Sequence, residues 1–217
     1  MGRRAALSCE QNMINKNKVK LTGTIVGIWE TMNTISVRLA TDGGNNESSY
    51  PLVIFRDKEL LDGFEEKDRV TIKGHFNTRV RQNKENGMLE FPCNIIGDLI
   101  EYTKRPLIQA FPDNEFETVT GGYPDDKNEV ILAGTVQHVY QPRDSVTLLT
   151  LNVDDKGRKE SNVEVVCFGP NADFASRLNE KERAAVVGIV KTKRDKNNNR
   201  NLQNVICKDV DRLGEIS

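Results

Sequence analysis

The sequence predicts an all-β protein in which one small five-stranded Greek-key barrel occurs twice in tandem. Three observations carry that reading. Apolar residues recur at every second position in several segments, the period of a half-buried strand. A block of sequence returns 111 residues later, "KVKLTGTIVGIW" (Lys18–Trp29) reappearing as "EVILAGTVQHVY" (Glu129–Tyr140). The elements then follow in one order in both copies, with the offset growing only from 111 to 114, so the loops differ by a few residues while the plan holds.

Each element has its own justification. The first strand sets Val19, Leu21 and Ile25 on one face around Gly23, and its repeat sets Val130, Leu132 and Val136 around Gly134. A glycine inside a strand lets it bend sharply. The second strands are "TISVRLAT" and "VTLLTLNV", followed by the polar loops "DGGNNESS" and "DDKGRKES". The apolar third strand "YPLVIF" (Tyr50–Phe55) aligns with "VEVVCF" (Val163–Phe168), which matches Phe55 to Phe168. A short helical piece follows: Leu60, Leu61 and Phe64 in one copy and Phe174 and Leu178 in the other have the spacing of a helix face.

The fourth strand, "VTIKGHFNTR" (Val70–Arg79), turns Val70, Ile72 and Phe76 to the core and Lys73, His75 and Arg79 outward; its repeat is "AAVVGIVKTK" (Ala184–Lys193). An Asn/Gly-rich turn and a fifth strand, "LEFPCNIIGDLI" or "LQNVICKDVDRL", close each unit. Five strands with one helix between the third and fourth is the order of an OB-fold. The chain therefore divides into a flexible N-terminal segment (1–16), an OB domain (17–101), a linker with prolines and a Gly-Gly pair (102–127) and a second OB domain (128–213).

The totals exclude several functions. A net charge of −1 rules out a polycation, so any nucleic-acid contact must come from local clustering of Lys and Arg. The four cysteines (Cys9, Cys93, Cys167, Cys207) lack a C-x-x-C pair and there are two histidines, which argues against a zinc site or disulfide framework and for reduced thiols. Acidic residues gather in turns and the linker, and no phosphate-cradling glycine loop or nucleophile elbow is present. No enzyme activity, metal or cofactor is expected. Without a signal-like apolar core or a run of about 20 apolar residues, a cytoplasmic location with no membrane contact is expected.

With the elements in order, "NKVKLTGTIVG", "VRLAT", "VIF" and "RVTIKGHFNTR" in copy one, and "NEVILAGTV", "VVCFG" and "VVGIVKTK" in copy two, resemble the bacterial and phage single-stranded DNA-binding protein family. That resemblance covers nearly the whole chain outside the N-terminal segment and linker. It implies OB barrels that bind single strands with little sequence preference, in replication, recombination and repair of a bacterium, phage or plasmid. It also implies a homodimer presenting four barrels, with replication proteins as partners.

Binding of this kind needs cations for phosphates and flat rings for bases, a chemistry that DNA and RNA both satisfy. The fourth-strand arms offer Lys73, Arg79, Arg81 and Lys84 in copy one, and Lys191, Lys193, Arg194, Lys196 and Arg200 in copy two. Trp29 and Tyr140 occupy matching positions at the end of the first strand; they share the core phase, yet lie beyond the expected bend. Phe55 and Phe168 match the family's strand-three aromatic only through the resemblance, and Tyr50 lies close to one of its tryptophan positions. Arg81 and Asp195 stand where the family carries a ring. The alternative function is an OB-fold protein–protein interaction module, accessory to a replication or conjugation complex, for which Val187 and Ile189 would supply an apolar face.

Overall fold

The computed structural model describes residues 15–78, 81–82, 89–90, 93–103, 125–153, 161–195 and 200–214. The first half contains β1 (Lys16–Glu30), β2 (Ile35–Asp42), β3 (Ser48–Ser49), β4 (Leu52–Phe55), β5 (Arg69–Phe76), β6 (Arg81–Gln82), β7 (Leu89–Glu90) and β8 (Ile95–Tyr102). The second contains β9 (Lys127–Arg143), β10 (Val146–Val153), β11 (Ser161–Phe168), α1 (Pro170–Ala175), β12 (Arg183–Asp195) and β13 (Arg200–Leu213). In the first half β1 pairs with β2 and β5, β2 with β4, β4 in parallel with β8, and β8 with β5. The second half repeats every one of these pairings, through β9–β10, β9–β12, β10–β11, parallel β11–β13 and β12–β13. Each of these strands thus has two hydrogen-bonded neighbours around an apolar interior.

β1 pairs with β5 along one edge and with β9 and then β2 along the other, and Gly23 sits where that second edge changes partner, as Gly134 does in β9. A Cβ on Gly23 would lie 2.1 Å from the Ala40 carbonyl oxygen, and one on Gly134 2.1 Å from that of Asn152. Just beyond, the register skips Val26 in β1 and Gln137 in β9, a bulge at the same place in both halves. A bulge reverses the alternation that follows it. Ile28 and Val139 therefore turn to the core, while Trp29 and Tyr140 turn outward, against the phase expected for them.

The expected third-strand alignment is off by one residue. Val53 and Val165 occupy equivalent pairing positions, opposite Val37 and Leu149 on one side and Ile95 and Val205 on the other. Phe55 is therefore equivalent to Cys167, and Phe168 to Arg56. A slip of one residue moves a side chain to the other face of a sheet. Phe55 and Cys167 are fully buried, while Phe168 is 51% exposed.

The helical pieces are short: one 3₁₀ turn over Glu59–Leu61 in the first half and the six residues of α1 in the second. Leu61 and Leu178 are buried as expected, but Phe174 faces solvent and Ala172 and Ala175 fill the core instead. The fifth strand of the first half begins later than expected, at Ile95, because Leu89–Glu90 pairs with Arg81–Gln82 as a separate small hairpin. Residues 1–14 of the expected N-terminal segment and 104–124 of the expected linker lie outside the described residues.

The halves are joined through their first strands. β1 and β9 run antiparallel with Val19 opposite Val130, themselves repeat partners, so the junction resembles an isologous dimer contact within one chain. Two buried asparagines stand at repeat positions beside it, and Asn128 bonds across it. Asn17 exchanges both backbone bonds of Phe76 (Nδ2 to O, 2.9 Å; N to Oδ1, 2.8 Å). Asn128 Nδ2 donates to the carbonyls of Val190 and Asp42 (both 2.7 Å), and its Oδ1 accepts from Val190 N–H (2.8 Å). Buried Arg69 adds ion pairs to Asp125 (2.9 Å) and Asp126 (2.6 Å) at the entrance to β9.

Candidate nucleic-acid interface

The outward faces of β1, β2 and β4 carry the first half's ring and cation. In β2 the alternation that buries Val37 and Leu39 turns Ser36, Arg38 and Ala40 outward. Arg38 is opposite Gly27 in β1 and Leu52 in β4. Gly27 is bare because the Trp29 ring folds back over it: a Cβ there would lie 2.3 Å from the ring. The Arg38 guanidinium sits 4.8 Å from the Trp29 ring centroid, a cation–π contact, and its buried Nε has no hydrogen-bond partner among the described residues. Trp29 remains 46% exposed, so a ring face and a cation stand side by side at solvent. Tyr50, 36% exposed, precedes β4 at the edge of this face.

The equivalent face of the second half has different chemistry. Tyr140 is 55% exposed, and His138 stands where Gly27 stands in the first half, so Tyr140 has no bare backbone to lie on. Thr150 replaces Arg38, and Glu164 replaces Leu52. Burial raises the Glu164 carboxyl above its ordinary range. The second face therefore offers rings, Tyr140 and at its end Phe168, with a carboxylate instead of a guanidinium.

The sequence-predicted cations divide into three groups. Arg79, Lys84 and Lys196 lie outside the described residues, and Arg81, Arg194 and Arg200 are described only as strand backbone. Lys73 does not join the Trp29 face. It stands opposite Lys20 in β1 and Leu99 in β8 and pairs with Glu101 at 3.2 Å. Lys191 of β12 does approach the first half, and Lys193, two residues on in the same strand, is exposed. Lys191 reaches Glu47 at 2.6 Å, a contact that holds the Glu47 carboxyl below its usual range. Between the two lysines, Thr192 Oγ1 accepts the Tyr50 N–H at 2.8 Å, and Ser49 Oγ donates to the Val190 carbonyl at 2.9 Å.

Phe55 leaves the site, because its ring is fully buried with its edge where a Cβ of Gly97 would be. Phe76 is buried as its phase indicated. Two residues enter that sequence reasoning passed over. Arg38 had a readable signal, the outward phase of "TISVRLAT". Gln203 had none, since its partners Leu52 and Cys93 lie 151 and 110 residues away. Among the described residues no three His, Cys, Asp or Glu side chains gather as a metal site, and no helix is long and apolar enough to cross a membrane.

No family model matches the chain, and no curated protein matches it by sequence. Among solved structures it is similar to the single-stranded DNA binding protein from Thermus aquaticus, at 19% identity and a TM-score of 0.62, over 94% of this chain and 96% of that one. A deletion mutant of the same protein matches at 17% identity and a TM-score of 0.60, over 94% of this chain and 97% of its own. The likeness shows the fold, and it runs nearly end to end in both chains.

Proposed function

We propose, with that fold as premise, that this chain is a tandem OB-fold protein that binds single-stranded DNA without strong sequence preference. The strand pairings, repeated in order in both halves, support two five-stranded barrels spanning about 17–101 and 128–213. The observation that carries the reading is the half-exposed Trp29 ring with the Arg38 guanidinium over it. A ring stacks on any base and a cation meets any phosphate, so such a pair binds a strand without reading it. The similar structures, a single-stranded DNA binding protein and its deletion mutant, support the reading. The chain acts as a binding protein, not an enzyme, in DNA replication, recombination or repair in the cytoplasm.

Trp29 is the sole tryptophan, so its fluorescence follows binding directly. Titration with oligo-dT and with oligo-U at several salt concentrations is expected to show binding that weakens steeply with salt. The difference between the two ligands measures DNA preference. No binding at low salt would sink the reading.

A second observation favours a protein partner as well. Ile131 and Val187 are exposed and directly opposite each other in β9 and β12, where the first half has Lys20 and Lys73. We read this as the face for a second copy of the chain, giving four OB units. Sedimentation of the Val187→Asp variant should then give a monomer where the unaltered chain gives a dimer.

A further inference from the structure

We infer that the nucleic-acid site of the first half is composite, completed by the β12–β13 arm of the second half, and that Gln203 is the residue that positions this arm. The inference rests on the single-strand-binding reading above.

Gln203 carries it. Its carboxamide behaves as a piece of strand backbone: Oε1 accepts the Leu52 N–H at 3.0 Å, while Nε2 donates to the Leu52 carbonyl (3.4 Å) and to the Cys93 carbonyl. Leu52 opens β4 and Cys93 shortly precedes β8, so one side chain of the second half fastens two elements of the first. Ser49 and Thr192 repeat the fastening on the other strand of the arm, where Thr192 stands opposite Gln203 and Tyr50 N–H is drawn onto Thr192. Leu52 is also the register partner of Arg38, which covers Trp29. Gln203, Leu52, Arg38 and Trp29 thus form one line from the arm to the ring.

Electrostatics gives the arrangement its purpose. The first face holds Arg38, and the arm places Lys191, paired with Glu47, beside its Tyr50 edge, with the exposed Lys193 two residues further along β12. A strand stacked on Trp29 and passing Tyr50 meets those two lysines next. At the mirror position, residue 93 replaces Gln203 and Glu164 replaces Leu52, so this pair of positions carries no carboxamide clamp in the second half. The Gln203 clamp is accordingly peculiar to the first half's face.

The test is a double-mutant cycle on the full chain, read by Trp29 fluorescence with an oligo-dT of about eight nucleotides, within the range one OB unit holds. The slope of log K against log salt for the unaltered chain counts the phosphates neutralised. Lys191→Ala/Lys193→Ala is expected to lower that slope by roughly 1.4, about 0.7 for each phosphate lost. Gln203→Leu, which keeps both lysines, is expected to lower it by a similar amount. Adding Gln203→Leu to the double lysine variant should lower it no further, because both changes remove the same contact. A merely structural Gln203 would weaken affinity without changing the slope, or would add to the lysine effect, and either outcome overturns the inference. Should Gln203→Leu fail to fold, Gln203→Glu, which retains the bond from Leu52 N–H, carries the same comparison. Binding by the unaltered chain with no slope change in the lysine variant refutes the composite site alone. Absence of binding by the unaltered chain overturns the single-strand reading and this inference with it.

Discussion

Asn17 and Asn128 occupy repeat positions, yet replacing each with alanine should have unequal effects, and the structure says which is larger. Asn128 makes more hydrogen bonds, three against two. What decides the cost is which groups are left bare, because an unpaired buried polar group costs about 1–3 kcal/mol. In Asn128→Ala, the Val190 carbonyl keeps the Ser49 hydroxyl at 2.9 Å, and the Asp42 carbonyl belongs to an exposed residue that water can reach. Only the Val190 N–H is stranded. In Asn17→Ala, both polar groups of the buried Phe76 are stranded. The Asn77 N–H bonds the Asn94 carbonyl, so the next pair, Phe76 with Ile95, is a non-hydrogen-bonded one and β8 offers no substitute. We therefore expect a loss of about 2 kcal/mol for Asn128→Ala and about 4 kcal/mol for Asn17→Ala. Urea unfolding followed by Trp29 fluorescence measures both; with a slope near 2 kcal/mol/M the midpoints should fall by roughly 1 M and 2 M. Ser49→Ala should cost more in the Asn128→Ala background than alone. An equal or larger loss for Asn128→Ala would refute the reasoning.

Other outcomes follow from the same geometry. Trp29→Ala should weaken binding of a fluorescein-labelled oligo-dT about 5- to 150-fold, the worth of one stacked base, with little change in stability. Phe55→Ala should do the reverse, costing about 3–5 kcal/mol in denaturant melts while leaving the affinity of the folded protein unchanged. Gly23→Ala should destabilise by at least about 2 kcal/mol, since its Cβ would lie 2.1 Å from the Ala40 carbonyl oxygen and the strands must part. Glu164 has a folded-state pKa raised above 4.5 by burial, so the stability it contributes is present below pH 4.5 and lost as pH rises through the folded value. Glu164→Gln should remove that decline, and thermal melts should show it more stable than the unaltered chain near neutral pH.

The repeat and the order of elements were legible because they rest on local pattern. Val19, Leu21 and Ile25 alternate in one half as Val130, Leu132 and Val136 do in the other, and a strand buried on one face must alternate. Gly23 and Gly134 were legible for a related reason, since a bare backbone in an apolar strand marks a close crossing. The candidate site was legible in part. Trp29, Tyr50, Tyr140 and Phe168 are exposed rings, and Lys191 and Lys193 do lie on an arm that meets the first half.

Registers and distant partners were decided only by the tertiary structure. A bulge at Val26 and Gln137 leaves no local trace, yet it reverses every side chain after it and sends Trp29 and Tyr140 outward. In the apolar third strands a one-residue slip changes no hydrophobic pattern, so the match of Phe55 to Phe168 looked as good as the true one to Cys167. Pairing with β8 and β13, whose parallel register is set by non-local hydrogen bonds, chose between them. Gln203 was beyond reach of any local reading, because a carboxamide is defined by what it bonds and its partners lie in the other half. The sequence by itself thus determined the all-β class and which residues alternate into the core. The chain's folding back on itself along Val19 and Val130 decided how the units face each other and which rings and cations meet.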